Sequence, residues 1–244
     1  VRDIKNIPNA KSYNLTNTFV KFPLKKIWQV NTDQFIDDEN PYLPDPIYLS
    51  QNVYLLNNNG VLFKIEANNG KIIWKKLIFK NLENTIIGTP ALSGKLSKDG
   101  KITIYAHNGI NKILALNGET GNVIWKKNHR LPIRGGITSS KGSIYVSDFD
   151  GNFLSLDDEN GKTNWNTYLG SDYNSIYTTA RSIIAQNKII VPGTGGTFFV
   201  LSSDTGDVLW SENISSNKQL PKIFHSGDII ANPIYHEGII YIVS

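Results

Sequence analysis

A glycine that precedes a tryptophan by four positions occurs four times in this chain, and this repeated motif constrains the fold more than any other feature. The glycines are Gly70, Gly121, Gly161 and Gly206, and the matching tryptophans are Trp74, Trp125, Trp165 and Trp210. Trp28 lacks such a glycine, and successive tryptophans from Trp28 onward are 46, 51, 40 and 45 residues apart. A divergent internal period of this length is typical of solenoids, propellers and related arrays.

Alignment of the copies on their tryptophans extends the repeat. The positions twenty residues before the tryptophans are occupied by Tyr54, Tyr105, Tyr145 and Ile190. Each copy contains short runs rich in Val, Ile, Tyr and Phe that are bounded by Gly, Asn and Asp, which is typical of strands. Asn69 followed by Gly70 is a strong hairpin signal. The sequence therefore predicts an all-β fold, a β-propeller of four-stranded antiparallel blades in which each tryptophan packs between neighbouring blades.

The repeat also sets the expected domain boundaries. We expect residues 1–23 to form an irregular N-terminal segment, because they are polar, rich in asparagine and without periodicity. Residues 24–244 are predicted to form the propeller: a closing strand at 24–30 that carries Trp28, four full blades, and the start of a fifth near Pro233. Four complete copies and two partial ones predict an incomplete ring.

The ionisable residues show no pattern that carries chemistry. The chain has 25 Lys and Arg against 21 Asp and Glu, spread along its length, so we predict no nucleic-acid partner. It has no cysteine, which excludes disulfides, thiolate metal sites and a cysteine nucleophile within this sequence. Its histidines, His107, His129, His225 and His236, lack metal-ligand spacing. We therefore predict a non-enzymatic protein without a catalytic, metal or cofactor site.

Two segments with the composition of ligand-binding loops are interpreted as turns. Residues 193–196, Gly-Thr-Gly-Gly, would have to open a helix in order to hold a phosphate. Gly196 instead aligns with Gly60 and Gly151 at a predicted strand-to-strand turn. Residues 148–152 carry their glycine at the fourth position rather than at the sixth, where a calcium loop requires it.

The acidic or polar turn that leads through glycine and a hydrophobic pair into tryptophan resembles the repeat of the PQQ-like propeller superfamily. Within that superfamily the chain is similar to the BamB family, the lipoproteins of the outer-membrane β-barrel assembly machinery. Residues 131–135, Leu-Pro-Ile-Arg-Gly, are similar to the family's L-x-L-R-G segment, and residues 228–233 are similar to its D-x-D-x-x-P segment. The resemblance covers residues 26–244. Because the family has eight blades, it implies an N-terminal part of the family fold.

The resemblance implies a scaffold at the periplasmic face of the outer membrane that binds a POTRA domain of BamA. By position, the binding residues would be Leu131, Ile133, Arg134 and Asp228, while Ile230 stands where the family has a second acidic residue. Unfolded outer-membrane proteins are a second candidate partner. The lipid-bearing cysteine of the family is absent from this sequence, so membrane association would depend on an anchor that these residues do not supply.

The residues themselves also favour residues 131–134 as a binding segment. The segment falls between the outer strand of copy two and the first strand of copy three, which predicts a surface loop held by a rigid scaffold. An arginine flanked by exposed aliphatic residues has the composition of an interface hot spot. The alternative, in which Leu131 and Ile133 anchor the loop to the core and Arg134 is solvated, stays open at this stage.

Two other functions share the same repeat. One is a PQQ-dependent dehydrogenase, although those enzymes typically add a vicinal cysteine pair and a calcium site, and this chain has no cysteine. The other is a propeller that senses a ligand or binds polysaccharide.

Overall fold

The computed structural model describes residues 25–32, 44–80, 90–170, 180–214, 229 and 231–243. Within these ranges the protein is all-β, with eighteen strands and no helix. Accordingly, no helix in the described part of the chain is long and apolar enough to cross a membrane. The predicted irregular segment at residues 1–23 lies outside the described residues.

The strands form four consecutive four-stranded sheets, which confirms the predicted blades. Blade 1 consists of β1 (Ile47–Leu49), β2 (Asn52–Leu56), β3 (Val61–Glu66) and β4 (Ile72–Leu77). Blade 2 consists of β5 (Ala91–Leu96), β6 (Ile102–His107), β7 (Lys112–Asn117) and β8 (Val123–Asn128). Blade 3 consists of β9 (Ile133–Ser140), β10 (Ser143–Asp148), β11 (Asn152–Asp157) and β12 (Thr163–Tyr168). Blade 4 consists of β13 (Ile183–Ala185), β14 (Lys188–Pro192), β15 (Thr197–Ser202) and β16 (Val208–Asn213).

Every blade is antiparallel, with its strands paired in chain order. A further pair, β17 (Ile234–His236) and β18 (Ile239–Tyr241), forms a two-stranded sheet where the sequence predicts the start of a fifth blade. The described blades do not close into a ring.

The core lies between the blades rather than within any one of them. Tyr54 and Leu56 of blade 1 pack with Leu92 and Ile104 of blade 2 in one buried cluster. Equivalent clusters join blade 2 to blade 3 and blade 3 to blade 4. Blades 2 and 3 each have two apolar faces, and stacking on the neighbouring blades buries both.

Four of the five tryptophans dock on the next blade, as predicted. In each case the indole Nε1 donates to a backbone carbonyl in the last turn of that blade. The bonds are Trp28 to Ala67 (2.7 Å), Trp74 to Glu119 (2.9 Å), Trp125 to Asp158 (3.1 Å) and Trp165 to Ser203 (3.2 Å). Trp210 is the exception, with 42% of its surface exposed.

The motif glycines have two roles, of which the sequence predicted one. Gly161 has φ +72° and Gly206 has φ +78°, so both occupy the left-handed region that a tight turn requires. In addition, a Cβ on Gly161 would lie 2.9 Å from the ring of Trp125, and one on Gly206 would lie 2.5 Å from that of Trp165. Glycine is therefore required at the turn and also leaves room for the tryptophan of the preceding blade.

The segment that carries Trp28 differs from the expectation for residues 24–30. The described residues 25–32 contain no strand, although Trp28 docks on blade 1 in the same way as its counterparts. A strand needs a hydrogen-bonded neighbour, and none of the strands in the described ranges pairs with this segment. The docking of the tryptophan thus does not depend on strand formation.

The blades have two distinct ends. The turn face carries the turns between the first and second strands and between the third and fourth strands of each blade, and therefore the motif glycines. The connector face carries the turns between the second and third strands and the connections from one blade to the next. The outer strand of blade 3 ends against the turn between β10 and β11, since the N–H of Leu169 donates to the carbonyl of Gly151. The predicted binding segment at residues 131–134 therefore belongs to the connector face.

Candidate protein-binding site

The connection from blade 2 to blade 3, residues 129–132, is short and tied down at both ends. The N–H of His129 donates to the carbonyl of Asn111 (2.6 Å), and the N–H of Ile133 donates to that of Ile110 (3.0 Å). In the middle, the carbonyl of Pro132 accepts from the N–H of Phe149 (2.9 Å). Hydrogen bonds thus hold this connection in a defined conformation against two turns, the β6–β7 turn of blade 2 and the β10–β11 turn of blade 3.

Only part of the predicted binding segment is a surface loop. Leu131 and Pro132 are half-buried, whereas Ile133 is 0% and Arg134 4% exposed, because both begin strand β9. The expectation of an exposed Arg134 flanked by two exposed aliphatic residues is wrong in this respect. The alternative in which Arg134 is solvated is also wrong, while Ile133 does anchor the segment to the core.

A β-bulge accounts for the burial of Arg134. Thr138 pairs with Tyr145 and Arg134 with Ser147, so four steps along β9 oppose two steps along β10. Gly135, within the bulge, has φ +68°. Bulges redirect the side chains beside them. Here the guanidinium of Arg134 lies over the ring of Phe149, with its Cζ 4.8 Å from the ring centroid.

His107 of blade 2 holds this bulge. Its Nδ1 accepts from the N–H of Gly109 (3.1 Å), which leaves Nε2 to donate to the carbonyl of Gly135 (2.9 Å). The ring is completely buried, and burial lowers the pKa of His107 to about 4, although the bond to Gly135 opposes this shift. His107 is therefore neutral at physiological pH and has a single tautomer.

Asp148 organises the neighbouring turn. Its Oδ1 accepts from the N–H groups of Asp150 (3.1 Å) and Asn152 (3.0 Å), and its Oδ2 lies 3.0 Å from Nε2 of His129. Burial raises the pKa of Asp148, but the hydrogen bonds from His129 and Asn152 outweigh this effect and lower the pKa overall. The carboxylate thus links the turn that carries Phe149 to the connection that carries Leu131.

The sequence contains a signal for this turn that the motif analysis missed. Asn57, Asn108 and Asp148 each stand three residues after an aligned tyrosine, and each accepts through Oδ1 from the N–H four residues later. Short polar side chains are common at such turns because they satisfy backbone donors locally. Residues 148–152 form this turn between β10 and β11, which confirms their interpretation as a hairpin.

The other predicted contact, Asp228, lies outside the described residues. Its neighbour Ile229 is described and is fully buried in the cluster that includes Ile190 and Phe198 of blade 4. Further along, Oδ1 of Asn232 accepts from the N–H of Arg181 (2.8 Å). Arg181 in turn lies against Gly136 of β9. The start of blade 4 therefore stands between the two predicted binding segments.

The remaining motifs have structural positions. Gly195 and Gly196 have φ +61° and +75° in the turn between β14 and β15, as predicted from the alignment with Gly60 and Gly151. Among the described residues, no three His, Cys, Asp or Glu side chains are grouped so that they could hold a metal ion.

Consecutive four-stranded blades, joined by a tryptophan of one blade docked on a glycine turn of the next, define the chain as a β-propeller protein of the PQQ-like repeat class. A family model described as outer membrane protein assembly factor BamB matches residues 58–244, and the chain belongs to this family.

Known proteins agree with this assignment. The outer membrane protein assembly factor BamB of Yersinia pestis is 22% identical over 222 residues, which cover 91% of this chain and 56% of the relative. The crystal structure of BamB from Moraxella catarrhalis has a TM-score of 0.64 at 18% identity, covering 81% of this chain and 57% of that one. The chain thus spans about half the length of these relatives.

Enzymes with the same repeat are also similar. The quinoprotein ethanol dehydrogenase of Pseudomonas putida is 27% identical over 172 residues, which cover 56% of this chain and 27% of the enzyme. The repeat is therefore shared between assembly factors and quinoproteins, and it does not by itself define an activity.

Proposed function

We propose that this chain is a non-enzymatic scaffold of the outer-membrane β-barrel assembly machinery and binds a POTRA domain of BamA through its connector face. Its family membership supports the general role and a location at the periplasmic face of the outer membrane. As part of this machinery, the chain would assist the folding and insertion of outer-membrane proteins. Unfolded barrel proteins are a second proposed partner.

One observation carries the choice of surface: the connection at residues 129–132 presents a partly exposed aliphatic side chain from a backbone that is already ordered. Leu131 and Pro132 are half-buried, and hydrogen bonds at His129, Pro132 and Ile133 hold the loop. A preorganised loop loses little conformational entropy on binding, so more of the contact energy contributes to affinity.

The predicted site residues take different parts in this proposal. Leu131 contacts the partner directly. Ile133 and Arg134 lie beneath the surface, and their contribution is to hold the segment in place. Asp228 supplies a second contact in the connection that leads to β17.

The proposal is tested by measuring the affinity of the purified chain for the POTRA domains of its cognate BamA. We expect Leu131→Asp to weaken binding by about tenfold or more, as for an interface hot spot. Leu96→Asp is the matched control, because Leu96 is a leucine that is 48% exposed at the end of β5, on the turn face. We expect this control to bind like the parent chain.

Asp228→Lys tests the second contact in the same assay, and we expect this variant also to have a lower affinity for the POTRA domains. Thermal midpoints of all variants show whether each one is folded. Full binding by folded Leu131→Asp and Asp228→Lys proteins would contradict the proposed surface, and no measurable binding by the parent chain would contradict the proposed function.

The resemblance to quinoproteins provides a separate test. Calorimetric titration of the chain with PQQ in the presence of calcium should give no heat of binding. Saturable heat with one-to-one stoichiometry would instead favour the dehydrogenase class.

A further inference from the structure

We propose that Phe149 is a further residue of the docking surface, and that Arg134 supports binding through the ring of Phe149 rather than by touching the partner. This inference rests on the proposed function. It adds a residue that lies fifteen positions after Arg134 in the chain, in the turn between β10 and β11.

Phe149 is partly accessible to a partner, whereas Arg134 is buried. Arg134 is 4% exposed, so its guanidinium cannot reach a partner without rearrangement of the strand that holds it. Phe149 is half-buried and lies in the turn between β10 and β11, on the connector face. The guanidinium covers one face of its ring, with the Cζ 4.8 Å from the ring centroid. The arginine is thus placed to support a ring that is itself partly accessible.

Phe149 is also bound to the predicted binding segment. The N–H of Phe149 donates to the carbonyl of Pro132 at 2.9 Å. The ring and the half-buried Leu131 and Pro132 therefore belong to two segments that are hydrogen-bonded to each other. We infer that these three partly exposed apolar residues present one surface, which we call the Leu131–Pro132–Phe149 patch.

The two segments of the patch are held in place by Asp148. Asp148, directly before Phe149, is 2% exposed and accepts from the N–H groups of Asp150 and Asn152. His129, two residues before Leu131, lies 3.0 Å from the same carboxylate. Both segments of the patch are therefore fixed by one buried anion, and the patch is ordered before a partner arrives.

The local charges indicate the chemistry of the partner. Arg130 and Arg134 are balanced by Asp148 and Asp150 within the same two segments, so the patch has no marked charge of its own. A cation already on one face of the Phe149 ring draws on its π density and disfavours a second cation on the other face. The surface thus fits an aliphatic side chain of the POTRA domain rather than a lysine or an arginine.

The test is a double-mutant cycle in the POTRA binding assay, with Phe149→Ala, Arg134→Met and the double variant. We expect Phe149→Ala to weaken binding by about tenfold. Arg134→Met should weaken binding in the parent chain but cause no further loss in the Phe149→Ala background, because residues that act through one contact are not additive. Since the patch is apolar, the loss of affinity caused by Phe149→Ala should change little when the salt concentration is raised.

Two further variants separate binding from folding. Phe149→Leu keeps an apolar side chain without a ring, and we expect it to bind better than Phe149→Ala and to be insensitive to Arg134→Met. Tyr48→Ala removes an aromatic side chain that is 65% exposed on β1, next to the turn face, and it should bind like the parent chain. Thermal midpoints identify any variant whose weakened binding reflects unfolding.

Different outcomes overturn different claims. If folded Phe149→Ala binds like the parent chain while Leu131→Asp does not, the role of Phe149 is wrong and the proposed function stands. If Arg134→Met and Phe149→Ala are additive, Arg134 does not act through the ring. If the parent chain fails to bind the POTRA domains, both the proposed function and this inference fail.

Discussion

The two faces of this protein are built on different principles. On the turn face, the same contact recurs from blade to blade: a tryptophan ring and its Nε1 dock on a glycine turn, as at Trp125 with Gly161. On the connector face, blade 3 has contacts specific to itself, such as the bond from His107 to Gly135 and the stacking of Arg134 on Phe149. The regular face holds the blades together, and the irregular face is where a specific partner can be recognised.

The largest expected effect is on the turn face. Trp125→Ala should lower the free energy of unfolding by about 3 kcal/mol, at the lower end for a large aromatic side chain because Trp125 is only partly buried. Trp210→Ala is the control, since Trp210 is 42% exposed and should lose less than half as much. Chemical denaturation measures both, and equal losses would contradict the docking role of Trp125.

The connector face should instead be sensitive to mild acid. Because the pKa of His107 is lowered to about 4 in the folded protein, the unfolded chain binds its proton first as the pH falls. The stability from His107 is complete above about pH 6.5 and is lost progressively towards pH 4, by up to about 3 kcal/mol. The Trp125–Gly161 contact involves no ionisable group.

Denaturation curves between pH 7 and pH 4 test this difference. His107→Gln should be less stable than the parent chain at pH 7 but should lose most of the pH dependence in this window. An unchanged slope in the variant would show that another group titrates.

A smaller loss of stability is expected when the space that Gly161 leaves for Trp125 is filled. Gly161→Ala places a Cβ at φ +72° and 2.9 Å from the ring of Trp125, and should cost about 2 kcal/mol. Gly142 has φ +82°, and a Cβ added there would meet nothing within 4 Å, so Gly142→Ala carries the backbone strain alone.

Thermal or chemical denaturation measures the loss in free energy of unfolding for each glycine variant. The difference between the two losses is the cost of placing a Cβ against the ring of Trp125. In a Trp125→Ala background this difference should disappear. If Gly161→Ala and Gly142→Ala cost the same in the parent chain, the turn alone would explain the glycine.

The smallest expected change in stability is at the proposed binding surface. Leu131→Ala should alter the free energy of unfolding by no more than about 0.5 kcal/mol, because Leu131 is half-buried in a connection held by backbone hydrogen bonds. The same variant should weaken POTRA binding. A large loss of stability would place Leu131 in the core and leave binding to the neighbouring residues.

Sequence reasoning succeeded where a pattern repeats. The motif around Trp125 predicted the blade, the turn at Gly161 and the packing of the tryptophan between blades, because three of the four copies place the tryptophan in the same environment. It failed at Arg134, where the bulge at Gly135 turns the arginine inward beneath Phe149. Among the described blades, a bulge between the first and second strands occurs only in blade 3, so no periodicity reveals it.

The sequence by itself determined the class of fold, because a period of about 45 residues with strand-like runs and glycine turns is compatible with few architectures. Only the tertiary structure decided which residues are accessible on the connector face. Burial of Ile133 and Arg134, and the place of Phe149 beside Pro132, depend on contacts between segments that are distant in the chain. Local propensity does not encode such contacts, because they form only when β9 pairs with β10 and blade 3 packs against blade 2.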